Sequence, residues 1–211
     1  KTEFVSLASH QLRTPISSMK WNAELLTSKH VETLSETQQK YIEKIIRGVG
    51  RMDAIISDFL NVSQLELGTL SSKPARIALD AFFDDVLEEH IERIEQKGLV
   101  VKKEHDGTIE SVTTDLRLLR MSIGNLVSNA VKYTPEGGTI TLRYAGNVKQ
   151  VELSVSDTGL GIPKDDQENI FSKLFRASNV RENIPDGTGL GLYIVELAIE
   201  TLGGTISFVS E

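Results

Sequence analysis

The sequence predicts two units in series, an α-helical hairpin that dimerises into a four-helix bundle and then an α/β two-layer sandwich. Three observations predict this. Apolar residues recur at alternating spacings of four and three from the start of the chain to Leu67; Ser71-Ser-Lys-Pro74 ends that rhythm; short alternating strands interleaved with helices follow. The 211 residues suffice for two modest domains. We place them at 1–70 and 76–211, joined by a linker at 71–75.

Composition narrows the function classes. A net charge of −7, with no dense basic patch, argues against nucleic acid as a partner. The absence of cysteine excludes disulfides, thiolate nucleophiles and cysteine-ligated zinc. No apolar run reaches spanning length and no signal peptide is visible. Both ends read as cut: helical periodicity is present from the first residues, and the chain stops inside an expected strand. A membrane anchor is therefore expected upstream, with this part cytoplasmic.

In the first unit Val5, Ser9, Leu12, Ile16, Met19, Ala23 and Leu26 form a heptad-like stripe. Residues 27–37 are polar and break it, and Ser35 with Gln38 three later reads as a capping box opening a second helix. There Ile42, Ile45, Val49, Met52, Ile56 and Phe59 repeat the rhythm up to Leu67-Gly68. A hairpin alone cannot cover two apolar stripes, so a homodimer is expected. His10 and Thr14, four apart, share a face beside the stripe. Pro15 lacks an N–H, frees the Gln11 carbonyl and is expected to kink the helix there. By itself this segment leaves His10 an ordinary surface histidine, as His30, His90 and His105 are read.

In the second unit Arg76–Leu79 reads as a strand, Asp80–Gln96 as a helix capped by Asp80, and Leu99–Lys103 as a strand. A long helix over Asp115–Tyr133, with Thr114 as cap, buries Leu119, Ile123, Leu126 and Ala130. Asn125, Asn129 and Lys132 lie on another of its faces. Asparagines depress helix propensity, so two on one face suggest a polar task, although a solvated face explains them too. Thr139–Tyr144 and Val151–Val155 alternate as strands around a turn at Gly146-Asn147. Asp157 shares parity with Val151, Leu153 and Val155, which puts a carboxylate on the core side at the strand's end. Such a group needs a hydrogen-bond donor, either an adenine amino group or its own turn. Gly187-Thr-Gly-Leu-Gly191 opens a helix over Leu190–Leu202, ended by Gly203-Gly204. Glycines running into a helix N-terminus suit phosphate. The chain has neither a Gly-x-x-x-x-Gly-Lys loop nor a His-Arg-Asp and Asp-Phe-Gly set.

Taken in order, these motifs resemble the transmitter region of a sensor histidine kinase of two-component systems, over essentially the whole chain. His10-Gln-Leu-Arg-Thr-Pro15 resembles the H box of the dimerisation and phosphoacceptor domain. Asn125-Leu-Val-Ser-Asn129-Ala-Val-Lys132-Tyr133 resembles the N box of the GHKL ATPases. Asp157-Thr-Gly159-Leu-Gly161 and Gly187-Thr-Gly-Leu-Gly191 resemble the two glycine boxes, and Ile170-Phe171 through Phe175-Arg176 the F box.

The resemblance implies ATP and Mg²⁺ as ligands, a homodimer, and the receiver domain of a response regulator as partner. His10 would take the γ-phosphoryl group and pass it to an aspartate of the regulator. Asn129, helped by Asn125, would hold Mg²⁺, and Lys132 and Tyr133 would touch phosphates. Asp157 would accept from the adenine amino group, with Gly159, Gly161 and Ile162 around the base. Arg176 would approach the γ-phosphate, the 177–186 stretch would be the mobile lid, and Gly187, Thr188, Gly189, Leu190 and Gly191 would complete the cofactor site. GHKL members that hydrolyse ATP usually have glutamate where this chain has Asn125, which favours a kinase.

Two departures stand out. Gln11 occupies the place where the family most often has an acidic residue, and cannot accept a proton. Slower autophosphorylation is expected, with a phosphatase-dominant regulator or a nucleotide-binding scaffold as the alternatives. The family also usually continues with a Gly-Thr-rich strand that completes the sheet. Thr14, four after the histidine, would orient water for dephosphorylation of the regulator.

Overall fold

A computed structural model describes residues 2–29, 33–70, 72–147, 150–181 and 187–210; of residues 2–10 and Lys29 it describes the backbone alone. The helical hairpin followed by an α/β sandwich is what it shows. Helix α1 spans Thr2–Lys29 and α2 spans Glu36–Glu66. The expected capping box opens α2: the Ser35 hydroxyl accepts from Gln38 N at 3.3 Å, and Gln38 Oε1 accepts from Ser35 N at 2.8 Å. Gly68, at φ 60°, follows the helix end, as a left-handed residue past a C-cap should. Helix α1 runs through Pro15 without a break in its helical assignment.

The two stripes each divide between two jobs. Ile16 is 3% exposed and Ala23 is also buried, as are Ile42 and Val49 of α2, which packs along α1. The alternate stripe positions face outward: Met19 is 45% and Met52 48% exposed, with Leu12, Leu26, Ile45 and Phe59 in the same state. Val5 and Ser9 have side chains outside the described residues.

The second unit comprises β1 (Pro74–Ala78), α3 (Leu79–Glu88), α4 (Ile91–Gln96), β2 (Val100–His105), β3 (Ser111–Asp115), α5 (Leu116–Tyr133), β4 (Thr139–Gly146), β5 (Val151–Asp157), a 3₁₀ turn at Lys164–Asn169, α6 (Ser178–Arg181) and α7 (Gly191–Thr201). Strand β2 pairs parallel with β4, and β4 antiparallel with β5; β1 and β3 form a separate antiparallel pair. A parallel pair needs a crossover, and β3 with α5 supplies it. Helices α3 and α5 cover the sheet through Phe82, Phe83, Val86, Ile123, Val127 and Val131, packed with Ile140, Leu142 and Tyr144. Stacking continues outward from Tyr144 to His105, with ring centroids 5.2 Å apart.

Several boundaries differ from the sequence reading. The expected single helix over 80–96 is two, interrupted at Glu89-His90, and its first cap position is Ala78, which makes no side-chain cap bond. His90, read as a surface residue, is half buried, and that burial lowers its pKa. His30 lies outside the described residues. Strand β3 was not foreseen: Ser-Val-Thr-Thr-Asp carries no apolar alternation, and its ladder with β1 defines it. The cap of α5 is Asp115, not Thr114. Asp115 Oδ1 accepts from Arg117 N at 2.9 Å and Leu118 N at 3.1 Å. Its Oδ2 accepts from Lys73 N at 2.7 Å, tying the expected linker to the helix start. The expected strand at the end of the chain is absent from the described residues 204–210, which join no ladder. No helix among the described residues is long and apolar enough to cross a membrane.

The Lys73 amide above all, with the Leu118 and Arg117 amides, holds the Asp115 carboxyl below the usual carboxylate range, against the opposing effect of burial. A folded pKa below the unfolded one gives stability that is present above the unfolded pKa and is lost as pH falls through the folded one. Asp115→Ala is expected to cost about 1 kcal/mol or more of unfolding free energy at neutral pH. Urea titrations should show that deficit shrinking once the pH drops below the ordinary carboxylate range.

Candidate active site

Helix α5 divides its circumference between core and cleft. Leu119, Ile123, Val127 and Ala130 point into the sheet, which leaves Asn125, Asn129, Lys132 and Tyr133 on the wall of an open cleft of about 2340 Å³. Asp157, Gly159, Gly161 and Ile162 line the same cleft from the end of β5, Arg176 from the segment before α6, and Gly187, Thr188, Gly189 and Gly191 from the start of α7. Residues from Asn125 to Gly191 thus meet at one opening.

Asn125 is oriented by its own helix. Its Nδ2 donates to the Met121 carbonyl at 2.7 Å, which leaves Oδ1 turned toward α7. A Cβ added to Gly191 would come 2.9 Å from that oxygen, so only glycine leaves the approach open. An amide oxygen presented this way, with Asn129 on the same wall, suits a hard cation whose remaining ligands are phosphate and water. Neither asparagine carries a charge of its own.

The loop after β5 is held from several sides. Asp157 Oδ1 accepts from Gly159 N at 2.8 Å, closing the turn. Asn179 Nδ2 donates to the Gly161 carbonyl at 3.0 Å; Ile162 N donates to Ser210 Oγ at 2.8 Å, so the last described residue steadies this loop. Asp157 was expected on the core side of its strand and is exposed. It shares a face with Val151, Leu153 and Val155, but that face is only half covered, and its end opens into the cleft.

On the other side, a Cβ on Gly187 would lie 2.8 Å from Lys132 Nζ and 3.7 Å from Arg176 Nε, which places two cations at the glycine box. Lys132 Nζ also stands 5.0 Å from the centre of the Tyr133 ring. Burial raises the Tyr133 phenol pKa, with the Arg176 cation opposing. Gly189, at φ 72°, packs against the backbone of Leu174 and Phe175, where a Cβ would come 2.7 Å from the Leu174 carbonyl carbon. Residues 182–186 of the expected lid lie outside the described residues.

One expected cofactor-site residue stands elsewhere. Leu190 does not line the cleft; it is buried in a second core with Val62 and Leu65 of α2, Leu118 of α5, and Ile194 and Ala198 of α7. Gln11 and Thr14 are exposed on α1 and are not among the lining residues. The His10 side chain lies outside the described residues. The hairpin reaches the cleft instead through Asp58, which no sequence motif contains. Its Oδ2 accepts from the Thr188 hydroxyl at 2.6 Å, while Thr188 Oγ1 accepts from Leu190 N at 3.1 Å. Burial raises the Asp58 pKa, and the Thr188 hydrogen bond partly offsets it. Nearby, Glu66 accepts from Tyr193 at 2.6 Å and pairs with Lys173 at 2.5 Å.

Comparisons with known proteins match the two units separately. Residues 1–68 match the His Kinase A phospho-acceptor domain, and residues 114–211 match the histidine kinase-, DNA gyrase B-, and HSP90-like ATPase. The chain belongs to the sensor histidine kinases of two-component systems, as a transmitter core. It is 28% identical over 206 residues to the sensor-like histidine kinase SenX3 of Mycobacterium tuberculosis, which covers 98% of this chain and 50% of the relative. The chain thus spans about half the length of that curated relative. Among solved structures it is similar to full-length ShkA in complex with AMPPNP (TM-score 0.76, 25% identity, covering 96% of this chain and 42% of that one). It is also similar to the histidine kinase ThkA in complex with the response regulator protein TrrA (TM-score 0.62, 26% identity, covering 96% and 55%).

The histidine kinase core in this arrangement has a carboxylate parked at the box that should receive phosphate. Asp58→Ala removes that charge and leaves the bond from Leu190 N to the Thr188 hydroxyl in place. Calorimetric titration with AMPPNP is expected to show binding tightened by about tenfold or more, the lower end of what one hydrogen bond to a charged group contributes. Unchanged affinity means that the carboxylate and the ligand do not compete.

Proposed function

We propose that this core binds ATP with Mg²⁺ in the cleft, transfers the γ-phosphoryl group to His10 and passes it on to an aspartate of a response regulator. The observation that carries the proposal is the convergence of Asn125, Asn129, Lys132, Arg176 and both glycine boxes on one cleft. Phosphoryl transfer asks mainly for positioning and charge stabilisation, and these residues supply both. Asp157 takes the adenine amino group beside Gly159 and Gly161. Lys132, Tyr133 and Arg176 meet the phosphates together with the amides of Gly187, Thr188, Gly189 and Gly191. Mg²⁺, held by Asn129 and Asn125, neutralises phosphate charge when bound.

In the transfer a neutral imidazole nitrogen of His10 attacks the γ-phosphorus. A nitrogen–phosphorus bond forms as the bond to ADP breaks, and the imidazole proton passes to solvent. Gln11 orients the ring and takes no proton. Asn125 stands where a hydrolysing relative has its water-activating glutamate, so ATP is retained for the histidine. Asp58 of α2, rather than α1, faces the glycine box in this arrangement, so transfer requires the catalytic unit to leave α2 for α1. The complex of ThkA with a response regulator protein supports a regulator as the partner; its receiver domain docks, in this proposal, on the bundle below His10.

The outward halves of both stripes support a homodimer, with an upstream segment tethering the full protein to the inner membrane. Dephosphorylation of the regulator, with Thr14 orienting water, is the second activity proposed.

Incubation with γ-labelled ATP and Mg²⁺ is expected to give acid-labile label that His10→Ala abolishes. No label in a protein that binds AMPPNP overturns the kinase. Thr14→Ala is expected to lose phosphatase activity and keep autophosphorylation; equal loss of both sinks that role. Ile45→Glu with Met52→Glu should convert a sedimenting dimer to a monomer with its helical circular dichroism intact, because both positions are exposed in the single chain.

A further inference from the structure

We infer that Lys97, which lies outside every motif named above, is a positioning residue for the nucleotide cleft; the inference rests on the ATP-binding reading. Its Nζ donates to the carbonyls of Val131 at 2.9 Å, Lys132 at 3.1 Å and Thr134 at 2.5 Å. The last turn of a helix leaves carbonyls without intrahelical donors and is the negative end of the dipole. One ammonium answers both needs at the end of α5. Burial lowers the Lys97 pKa, Arg93 adding to the effect and Glu136 opposing it. The three carbonyls offset that desolvation.

The capped turn is the cleft wall itself. It carries Lys132 and Tyr133, which line the cleft, whereas Lys97 does not. The Tyr133 carbonyl lies between the capped ones in sequence and abuts the loop after β5. A Cβ on Gly159 would come 3.0 Å from that oxygen. The Gly159 amide in turn is bound to Asp157 Oδ1. A continuous path of hydrogen bonds and close packing therefore runs from Lys97 through the end of α5 to the carboxylate at the adenine end. Lys97 is itself anchored: its carbonyl accepts from Gly137 N at 2.9 Å, and Val100 N donates to the Gly138 carbonyl at 2.8 Å where β2 meets β4. Without the cap, α5 still packs on the sheet, but its last turn loses the register that brings Lys132, Tyr133 and Gly159 together.

The test compares Lys97→Met and Lys97→Arg with the unchanged chain, at a temperature where circular dichroism shows all three folded. Calorimetry with Mg²⁺ and AMPPNP is expected to show affinity lowered at least about tenfold in Lys97→Met and mostly restored in Lys97→Arg. The KM for ATP in autophosphorylation should rise in parallel with kcat unchanged, a split that a loss of stability alone does not give. A folded Lys97→Met with unchanged AMPPNP affinity overturns the inference, as does a fall in kcat at constant KM. Should Lys97→Met not fold, Lys97→Gln takes its place with an intermediate loss expected, and full affinity there overturns the inference. Amide exchange at Gly159, measured without nucleotide, should be faster in the Met or Gln variant. Failure of the unchanged chain to bind AMPPNP would overturn the nucleotide reading, and exchange at Gly159 would still decide the role of Lys97.

Discussion

The packing of α5 between the sheet and α7 is the constraint on which the rest depends. Its inner face fills the main core with Leu119, Ile123, Val127 and Val131, and Leu118 at its start joins the second core beside Ile194 and Ala198 of α7. A close-packed helix cannot rotate, because every inward residue is held in register by its neighbours. The polar residues between those apolar ones are therefore fixed at the cleft without needing many bonds of their own. Asn125 is steadied by one bond to its own helix, and the two ends of α5 are closed by Asp115 and Lys97.

Glycine serves the same site from the other side. Gly191, Gly187, Gly189 and Gly159 each stand where a side chain would strike Asn125, Lys132, the Leu174 backbone or the Tyr133 carbonyl. The glycine boxes thus act through approach: they let α7 and the loop after β5 close on α5, and the cleft is what remains between them. The same closeness makes the site sensitive to anything that shifts α7. The hairpin does touch α7, through Asp58 on Thr188, Glu66 on Tyr193, and the shared core of Val62 and Leu65 with Leu190. The start of α7 and the glycine box before it thereby line the cleft and touch the dimerisation unit together. That coupling gives a physical route by which movement of the hairpin reaches the nucleotide.

Much of this was legible in the amino-acid order. Heptad spacing set out the two long helices, the capping box at Ser35 was read to the residue, and the spacing of Asn125, Asn129 and Lys132 placed them on one face because helical geometry leaves no choice. Strand β3 was not legible, because Ser-Val-Thr-Thr-Asp has no apolar alternation and exists through its ladder with β1. The break at His90 within an apparently continuous helix was missed for a related reason: helical periodicity continues across it, and only packing decides where the chain turns.

What the sequence by itself determined is therefore the set of elements and the chemistry each one carries, since periodicity, caps and glycine spacing are local properties of the chain. Tertiary structure alone decided which of those chemistries meet. It buried Leu190 against α2 instead of leaving it at the cleft, exposed Asp157 at the end of a half-covered strand, brought Asp58 to Thr188 across 130 positions, and set Lys97 under the end of α5. The physical reason is common to all four. Each outcome depends on what packs over a residue from a distant part of the chain, and no local pattern records that.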